Sequence, residues 1–297
     1  MRSGFVCLAG RPNAGKSTLL NHLVGEKVAI VSSKPNTTRS EIRGIYTDEN
    51  CQIIFTDTPG IHKAKLRLET RMNKEASDVM HDVDLVYLVV DGSQKYGTGD
   101  AFVLDMVKNT GLPVFLILNK VDKMKPQEVM EVLQSWQERF DFAEYFPLSA
   151  MFNKNFKDLV KTTAKYLPEG DMLYPSEMVS DGTENFRIAE IIREKILRCT
   201  DEEIPHSAAV LVETKKYKKN TYYIQAVILV EKDSQKGIMI GKQGSMLKKI
   251  GTLARADIEE LLGKKVFLEL FVRVESQWRS KDARISEYGY GGALREE

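Results

Sequence analysis

One short stretch, residues 5–18, does most to limit the folds open to this chain of 297 residues. It reads FVCLAGRPNAGKST, in which five mostly apolar residues precede a glycine-bounded loop and the start of an apolar helical run. A buried strand, a GxxxxGK[ST] loop and a helix in this order are the usual context of a phosphate-binding P-loop. The alternative is a glycine turn that carries a lysine by chance, which this context disfavours.

The residue types of this loop match the requirements of a bound nucleotide. Backbone N–H groups of the loop and of the following helix present partial positive charge to phosphate oxygens. Gly10 and Gly15 leave room for the backbone to close around the phosphates, where side chains would obstruct it. Lys16 can reach the β- and γ-phosphates, and the hydroxyl of Ser17 can ligate Mg²⁺.

Composition is that of a soluble folded protein. Hydrophobic residues make up 42% and charged residues 29% of the chain, and the mean hydropathy is -0.30. No apolar run approaches the roughly 18 residues that cross a bilayer, and the first apolar run is too short for a signal peptide. Cys7, Cys51 and Cys199 are scattered, without the spacing of a metal site or a disulfide framework. We therefore expect a cytoplasmic protein of one large or two ordinary domains with no transmembrane segment.

Over residues 1–167, apolar runs alternate with helical patterns. Such alternation predicts a mostly parallel sheet covered by helices. The predicted strands are 5–9, 52–55, 85–90, 114–118 and 145–148, with 42–46 as an antiparallel edge, and the predicted helices include 65–82, 100–109, 126–140 and 156–166. Ligands of such sheets bind at the carboxyl ends of the strands, where the motifs of this region fall.

Two polar stretches can complete a metal and γ-phosphate site. Asp57 and Gly60, in the sequence DTPG, follow a predicted strand, so the carboxylate can hold Mg²⁺ through water and the Gly60 N–H can bind the γ-phosphate. Thr38 or Thr37, in the stretch PNTTRSEIRG, can close on Mg²⁺ and the γ-phosphate when a triphosphate is bound. Taken alone, DTPG is also typical of an ordinary turn, and PNTTRSEIRG is typical of a flexible loop.

Two further motifs are placed to recognise the base. The sequence NKVD ends a predicted strand, and its Asp122 can accept the ring N–H and amino protons of guanine. Adenine offers no such pair and would leave the carboxylate unpaired. Ser149 and Ala150 end the next predicted strand and are expected to place a backbone N–H near guanine O6. Four motifs in this order, each at a strand end, predict a guanine-nucleotide-binding domain.

The residues around the predicted γ-phosphate bear on hydrolysis. Ile61 follows Gly60 at the position where signalling GTPases usually carry a water-orienting glutamine. Isoleucine cannot orient water, so we expect hydrolysis to be slow or organised by other groups. The side-chain oxygen of Asn13 can help to seat a monovalent cation in place of an arginine finger, and simple loop capping is the alternative. The catalytic residues stay unassigned, with Asn13, Thr38 and Gly60 as candidates.

Residues 168–185 carry prolines, glycines and acidic residues without periodicity, which predicts an ordered linker and a domain boundary. From Phe186 onward there are 21 Lys and Arg against 17 Asp and Glu, a net charge of +4, whereas the rest of the chain carries -3. Residues 215–249 contain nine positive and two negative side chains. Such a basic surface suits nucleic-acid phosphates, and an ordinary solvated surface is the alternative.

The second part of the chain has the predicted order helix, strand, strand, helix, helix, strand. Between its two central helices lies the loop GKQG, followed by two further lysines. In a KH domain, a GxxG loop in this position clamps the backbone of about four nucleotides. A lone GxxG is a weak signal, but the element order and a basic hairpin with Lys215, Lys216, Lys218 and Lys219 strengthen it. Tyrosines of the hairpin can stack on bases or fill the strands, and the residues concerned are Tyr217, Tyr222 and Tyr223.

The segments GRPNAGKSTLLN, NTTRSEIRG, FTDTPGIHK, LNKVD, LSA, IGKQG and MLKKIG together resemble the Era family of bacterial ribosome-assembly GTPases. The resemblance extends over essentially the whole chain. It implies an α/β P-loop GTPase domain in residues 1–167, with helices on both faces of a mostly parallel sheet. A linker, residues 168–185, and an α+β type II KH domain with a C-terminal tail, residues 186–297, follow. The implied cofactors are GTP or GDP and Mg²⁺, with K⁺ as a further candidate.

The resemblance also implies the residues of each site. Mg²⁺ would be held by Ser17 and Thr38, with Asp57 acting through water, and K⁺ by Asn13. The residues implied to bind nucleotide are Gly10, Asn13, Ala14, Gly15, Lys16, Ser17, Thr18, Asp57, Gly60, Asn119, Lys120, Asp122, Ser149 and Ala150. The residues implied to bind RNA are Gly241, Lys242, Gln243, Gly244, Lys248, Lys249 and Lys215.

The implied partner is the 3′ end of 16S ribosomal RNA, which the KH domain would bind in the GTP state. Hydrolysis would then release the protein, expected to be a monomer, from the maturing small (30S) ribosomal subunit. The alternative is an RNA-binding chaperone or checkpoint that senses guanine nucleotide, with incidental hydrolysis, and Ile61 keeps this alternative open. Peripheral association with the inner face of the membrane through the basic surface is a third alternative, although no amphipathic basic helix supports it.

Overall fold

The computed structural model describes residues 1–152 and 156–290. Packing divides the chain into two units, of which the first holds residues 1–65 and 69–181 and the second holds residues 66–68 and the chain from Gly182 onward. Each unit has its own sheet and its own apolar core.

Six strands form the sheet of the first unit: β1 (Arg2–Ala9), β2 (Ile42–Thr47), β3 (Cys51–Asp57), β4 (Leu85–Asp91), β5 (Val114–Asn119) and β6 (Glu144–Pro147). Their order across the sheet is β2-β3-β1-β4-β5-β6, and all neighbours are parallel except β2 and β3. The predicted mostly parallel sheet with an antiparallel edge is therefore confirmed. β3 is buried along its whole length, as expected for a strand with helices on both faces.

Among the described residues, five α-helices accompany this sheet: α1 (Lys16–Val24), α2 (Arg67–His81), α3 (Thr98–Lys108), α4 (Pro126–Gln137) and α5 (Phe156–Tyr166). The bounds of α5 match the prediction, whereas α4 ends at Gln137 and not at Phe140. After Gln137 the chain leaves the helix and brings Phe142 into the core, where its ring contacts Phe140 and Trp136. Tertiary packing of these rings thus ends the helix earlier than its pattern predicts.

Residues 168–181, most of the predicted linker, pack on the first unit. The Ser3 N–H donates to the Pro168 carbonyl (3.1 Å), and the Ile45 N–H donates to the Val179 carbonyl (2.9 Å). The buried side chain of Gln52 accepts from the Tyr174 N–H (2.9 Å). Because residues of the sheet form hydrogen bonds with the backbone polar groups of this segment, the segment is held along the surface of the first unit.

The second unit contains α6 (Glu184–Cys199), α7 (Ile204–Ser207), β7 (Ala209–Lys218), β8 (Thr221–Val230), α8 (Asp233–Ile240), α9 (Ser245–Leu262), β9 (Lys265–Val274) and α10 (Asp282–Glu287). β8 lies between β7 and β9, antiparallel to β7 and parallel to β9. The predicted order of helices and strands is confirmed. α9 is continuous, and Ile250, Ala254 and Ile258 form one buried stripe along it.

Over the described residues, no helix is both long and apolar enough to cross a membrane. Cys7 and Cys51 are buried free thiols, and Cys199 is a partly buried one.

Candidate functional site

The loop between β1 and α1 holds the predicted phosphate-binding residues. Gly15, at the start of α1, has φ +100°, and a Cβ there would lie 2.2 Å from the Asn119 side chain. Only glycine fits such a conformation and such a close approach. The buried Lys16 lies back along the loop, where its Nζ donates to the carbonyls of Gly10 and Arg11, both at 3.1 Å. The loop thus carries a fixed positive charge beside the N-terminus of a helix, which suits an anionic ligand.

Ser17, Thr38 and Asp57 form a compact cluster of oxygens beside this loop. The hydroxyls of Ser17 and Thr38 donate to Asp57 Oδ2 at 2.6 and 3.0 Å, and the two hydroxyl oxygens are 3.0 Å apart. The other carboxylate oxygen, Oδ1, is buried and accepts a hydrogen bond from none of the described residues. Burial raises the pKa of Asp57 and lowers that of Lys16, and the attraction between the two opposes both shifts. Two hydroxyls and a buried carboxylate with a free oxygen fit the all-oxygen ligand set of Mg²⁺.

The two threonines of the polar stretch differ in their partners. Thr37 Oγ1 donates to the Lys34 carbonyl at 2.7 Å, so its hydroxyl forms a hydrogen bond within its own loop. Thr38 is buried, and its hydroxyl belongs to the oxygen cluster. This geometry favours Thr38 over Thr37 as a metal ligand.

A cavity of about 340 Å³ opens beside the oxygen cluster. Its lining consists of Pro12, Asn13, residues 15–18, residues 30–33, residues 36–38, Gly60 and Lys120. Its size falls within the range of small-ligand sites. A Cβ on Gly60 would lie 2.7 Å from Pro12 Cα, so the DTPG turn rests directly on the P-loop. This contact is why the turn requires a glycine at its end.

Ile61 points away from this cavity. Its N–H donates to the Gly10 carbonyl (3.1 Å), and its side chain is fully buried with apolar residues of β4 and α3. The residue after Gly60 therefore contributes packing, and it offers no polar group that could orient water.

Asn119 forms hydrogen bonds with the P-loop and with the two segments predicted to recognise the base. Its amide nitrogen donates to the Ala14 carbonyl (2.8 Å), and its Oδ1 accepts from the N–H groups of Lys120 (2.8 Å) and Ala150 (2.9 Å). The sequence predicts that Ser149 and Ala150 place a backbone N–H near guanine O6, and in this structure the Ala150 N–H is already bonded to Asn119. Asp122 Oδ1 accepts from the Ser149 hydroxyl at 2.5 Å. Of these residues, only Lys120 lines the cavity.

Asp91 is a residue of this site that sequence reasoning missed. Lys120 Nζ donates both to the Asn13 carbonyl (2.7 Å) and to Asp91 Oδ2 (2.6 Å). Burial raises the pKa of Asp91, but the hydrogen bonds from Lys120 and Ser93 outweigh it, so that the pKa lies below its ordinary value. Asp91 is the last residue of β4, and the strand-end rule that selected Asp57 would have selected it too. Its position identifies it as a residue that orients Lys120 across the P-loop.

Asn13 forms a capping hydrogen bond and leaves its side-chain oxygen open. Its backbone has φ +63°, a conformation that asparagine adopts more readily than most residues. Its amide nitrogen donates to the Ser33 carbonyl (2.9 Å), which is a capping interaction. Among the described residues, none donates to Oδ1, so this oxygen is available to a ligand.

The GKQG loop joins α8 and α9 in the second unit. Gly241 has φ +73°, and a Cβ there would lie 2.8 Å from both the backbone N and the Cβ of Met246. Lys242 and Gln243 are exposed at the tip, and Gln243 has a left-handed backbone with φ +52°. Backbone and side chains of the tip are thus open to a partner.

The predicted RNA-contacting lysines differ in their surroundings. Lys248 and Lys249 are exposed on the first turns of α9. Lys215 is partly buried, and its Nζ lies 3.2 Å from Glu184 Oε2, so a carboxylate already neutralises part of its charge.

Residues 5–120 match the family model described as 50S ribosome-binding GTPase, and residues 203–279 match that of the KH domain. The GTPase Era of Clostridium kluyveri is 48% identical over 291 residues, which cover 98% of this chain and 99% of the relative.

Two solved structures match over 98% of this chain and 99% of their own chains. One is a variant of Aquifex aeolicus Era bound to GDP and AlF4⁻, with 36% identity and a TM-score of 0.94. The other is Era in complex with MgGDPNP and nucleotides 1506–1542 of 16S ribosomal RNA, with 37% identity and a TM-score of 0.95. The full-length identity to a curated relative, together with the matching fold of both units, shows that this chain belongs to the Era family of GTPases.

Proposed function

We propose that this protein is a GTP-hydrolysing switch that binds the 3′ end of 16S ribosomal RNA and acts in assembly of the small (30S) ribosomal subunit. It works as a monomer in the cytoplasm. The observation that carries the proposal is the full-length similarity to an Era protein whose solved complex contains MgGDPNP and nucleotides 1506–1542 of 16S ribosomal RNA. In this chain, the exposed GKQG loop offers a contact surface for RNA, and the oxygen cluster beside the P-loop offers oxygens for Mg²⁺.

Different residues of the first unit bind the phosphates, the metal ion and the base of GTP. Lys16 and the backbone N–H groups of the P-loop bind the phosphates, and the Gly60 N–H meets the γ-phosphate. Ser17 and Thr38 would hold Mg²⁺, with Asp57 acting through water, and the ion would neutralise charge on the β- and γ-phosphates. Asn119, Lys120 and Asp122 hold the base, with Asp122 accepting the two guanine donors.

Thr38 makes the site sensitive to the γ-phosphate. It lies between α1 and β2, in residues 25–41, which form no helix or strand. Binding of a triphosphate fixes this segment through the Thr38 hydroxyl, and loss of the γ-phosphate releases it. RNA affinity then depends on whether GTP or GDP is bound.

Potassium is the proposed extra cation of the hydrolysis reaction. The carbonyl-type oxygen of Asn13 borders the cavity and supports this assignment. We expect hydrolysis in K⁺ to be about tenfold faster than in Na⁺, because a cation there replaces the charge of an arginine finger. Asn13→Gly, which keeps the positive φ, should abolish this difference between the two salts. Equal rates in the two salts for the unchanged protein would exclude the potassium site.

The proposed function is tested by RNA binding in two nucleotide states. A short RNA that copies the 3′ end of 16S ribosomal RNA is titrated with the full chain loaded with GDP or with a non-hydrolysable GTP analogue, at one salt concentration. We expect about tenfold tighter binding with the analogue, which is the size of an ordinary coupling free energy between sites. Equal affinity in both states would contradict the switch. The burial of Ile61 would then favour the alternative, an RNA chaperone that senses guanine nucleotide, with incidental hydrolysis.

A further inference from the structure

The sheet of the second unit has two faces that differ in their neighbours. Residues 224, 226, 228 and 230 of β8 belong to the core under the helices, so the residues that alternate with them point to the opposite side. The strand register carries this division to β7 and β9. We call the exposed part of the opposite side the outer sheet face; its residues are Thr214, Lys216, Lys218, Tyr223, Gln225, Phe267, Glu269 and Phe271.

The residues of the outer sheet face form rows across the three strands. Lys216 pairs with Tyr223, which pairs with Phe267, so one row runs from a lysine to two aromatic rings. The next row joins Thr214, Gln225 and Glu269, and the Gln225 amide donates to Glu269 Oε2 at 2.8 Å.

A β-bulge in β7 brings the lysines to this face. Val210 and Val212 belong to the core side, and regular alternation would continue that side through residues 214, 216 and 218. The register shifts between Val212 and Thr214, and the even-numbered residues beyond it change to the outer face. Without this irregularity, Lys216 and Lys218 would point toward the helices.

Three large aromatic side chains of the outer sheet face are open to solvent. Tyr223, Phe267 and Phe271 expose 42%, 51% and 50% of their surface. The rings of Tyr223 and Phe267 lie with their centroids 5.7 Å apart, and Phe271 is four residues further along β9, ~13 Å away. The contacting rings of Tyr223 and Phe267 form an exposed apolar patch of the kind that marks interaction sites.

The charge around these rings indicates an anionic partner. A shallow groove of about 440 Å³ is lined by Lys216, Lys218 and Lys219 together with Tyr223 and Phe267. Glu269 supplies the negative charge of the lining, and its carboxylate is engaged by the Gln225 amide. Over the part of the chain that the structure describes, the three lysines form no ion pair. Their positive charge is therefore available to phosphates.

We propose that the outer sheet face is a second binding surface for single-stranded RNA, separate from the GKQG loop; the proposal rests on the RNA-binding function proposed above. Bases stack on Tyr223 and Phe267, because every base offers an apolar ring face. Lys216 and Lys218 pair with the phosphates that link them. Exposed aromatic rings beside unpaired lysines are typical of single-strand binding, whereas lysine is depleted in the cores of protein–protein interfaces.

The test compares two unstructured RNAs on the full chain, one of about 20 nucleotides and one just long enough for the GKQG loop. We expect Phe267→Ala to weaken binding of the longer RNA about tenfold, the loss of one stacked base. Binding of the shorter RNA and of GTP should stay unchanged. Phe102→Ala, which removes a similarly exposed ring from the first unit, is the matched control and should change none of the three affinities.

A second variant keeps the aromatic packing and tests the charges. Lys216→Ala with Lys218→Ala should reduce the slope of log affinity against log salt for the longer RNA by about 1.4, since each single-strand phosphate contact contributes ~0.7. The proposal would be overturned if Phe267→Ala left the affinity for the longer RNA unchanged and the lysine variant left the salt slope unchanged. This result is expected if the outer sheet face binds a protein partner. If the shorter RNA does not bind the unchanged protein, the proposed RNA-binding role of the GKQG loop is wrong. Binding of the longer RNA to the two variants would still test the outer sheet face.

Discussion

Replacing the two tip residues of the GKQG loop by aspartate, Lys242→Asp with Gln243→Asp, should lower the affinity for the 3′-end RNA about 100-fold or more. The change removes one positive charge and adds two negative ones where the RNA backbone is expected to approach, and like charges at an interface cost several kcal/mol. GTP affinity should stay unchanged, because the variant touches none of the residues around the P-loop. Equilibrium binding of RNA and of GTP, measured at the same salt concentration, tests both expectations.

The structure explains why the tip residues are better targets than the glycines. A side chain on Gly241 would collide with Met246 and would disturb the start of α9. Lys242 and Gln243 are exposed, and aspartate tolerates the left-handed backbone of Gln243 better than most residues do.

The matched control is Lys161→Asp with Lys165→Gln, which makes the same change in net charge on exposed positions of α5. It should change RNA affinity by no more than about twofold, because salt screens the interaction between RNA and charges that lie away from the interface. An RNA affinity that survives in the double aspartate variant would remove the GKQG loop from the interface.

The second large effect is expected at the base. Asp122→Asn should lower GTP affinity about 1000-fold and raise the affinity for xanthosine triphosphate. The aspartate is expected to accept two guanine donors, whereas an asparagine amide would present an N–H₂ group to the guanine amino group and leave it unpaired. Xanthine carries a carbonyl in place of that amino group, and the asparagine can donate to it. Affinities for GTP and for xanthosine triphosphate, measured by direct titration, test whether the variant changes its preference from the first to the second.

The fold should survive this substitution. Asp122 is exposed, and the oxygen that accepts from Ser149 at 2.5 Å is retained in asparagine. Asp105→Asn, an equally exposed carboxylate of α3, is the control and should change neither affinity. A variant at position 122 that still prefers GTP would refute the role of this carboxylate in reading the base.

The sequence by itself determined the type of fold and most of the nucleotide site. Residues 5–18 encode their structure locally, because a P-loop needs glycines, a lysine and a hydroxyl at fixed spacing. Strand ends could be located from apolar runs, and in a parallel sheet such ends meet at one edge. Asp57 and the NKVD segment could therefore be assigned to one region without knowledge of the tertiary structure. The GKQG loop was found in the same way, from its position between two helices.

Only the tertiary structure decided how neighbouring residues divide their roles. Thr37 and Thr38 are adjacent and chemically identical, and the fold directs one hydroxyl to Asp57 and the other to Lys34. Ile61 belongs to the core because its backbone pairs with Gly10. The interaction of Asp91 with Lys120 joins residues that are 29 positions apart.

The basic hairpin gives the clearest example. Its lysines are equivalent in the sequence, but a one-residue bulge places Lys215 toward Glu184 and Lys216 beside Tyr223 and Phe267. Because side chains alternate between the faces of a strand, a shift of one residue moves every following side chain to the other face. Such a shift depends on the pairing of β7 with β8, and composition and local pattern carry no signal for it.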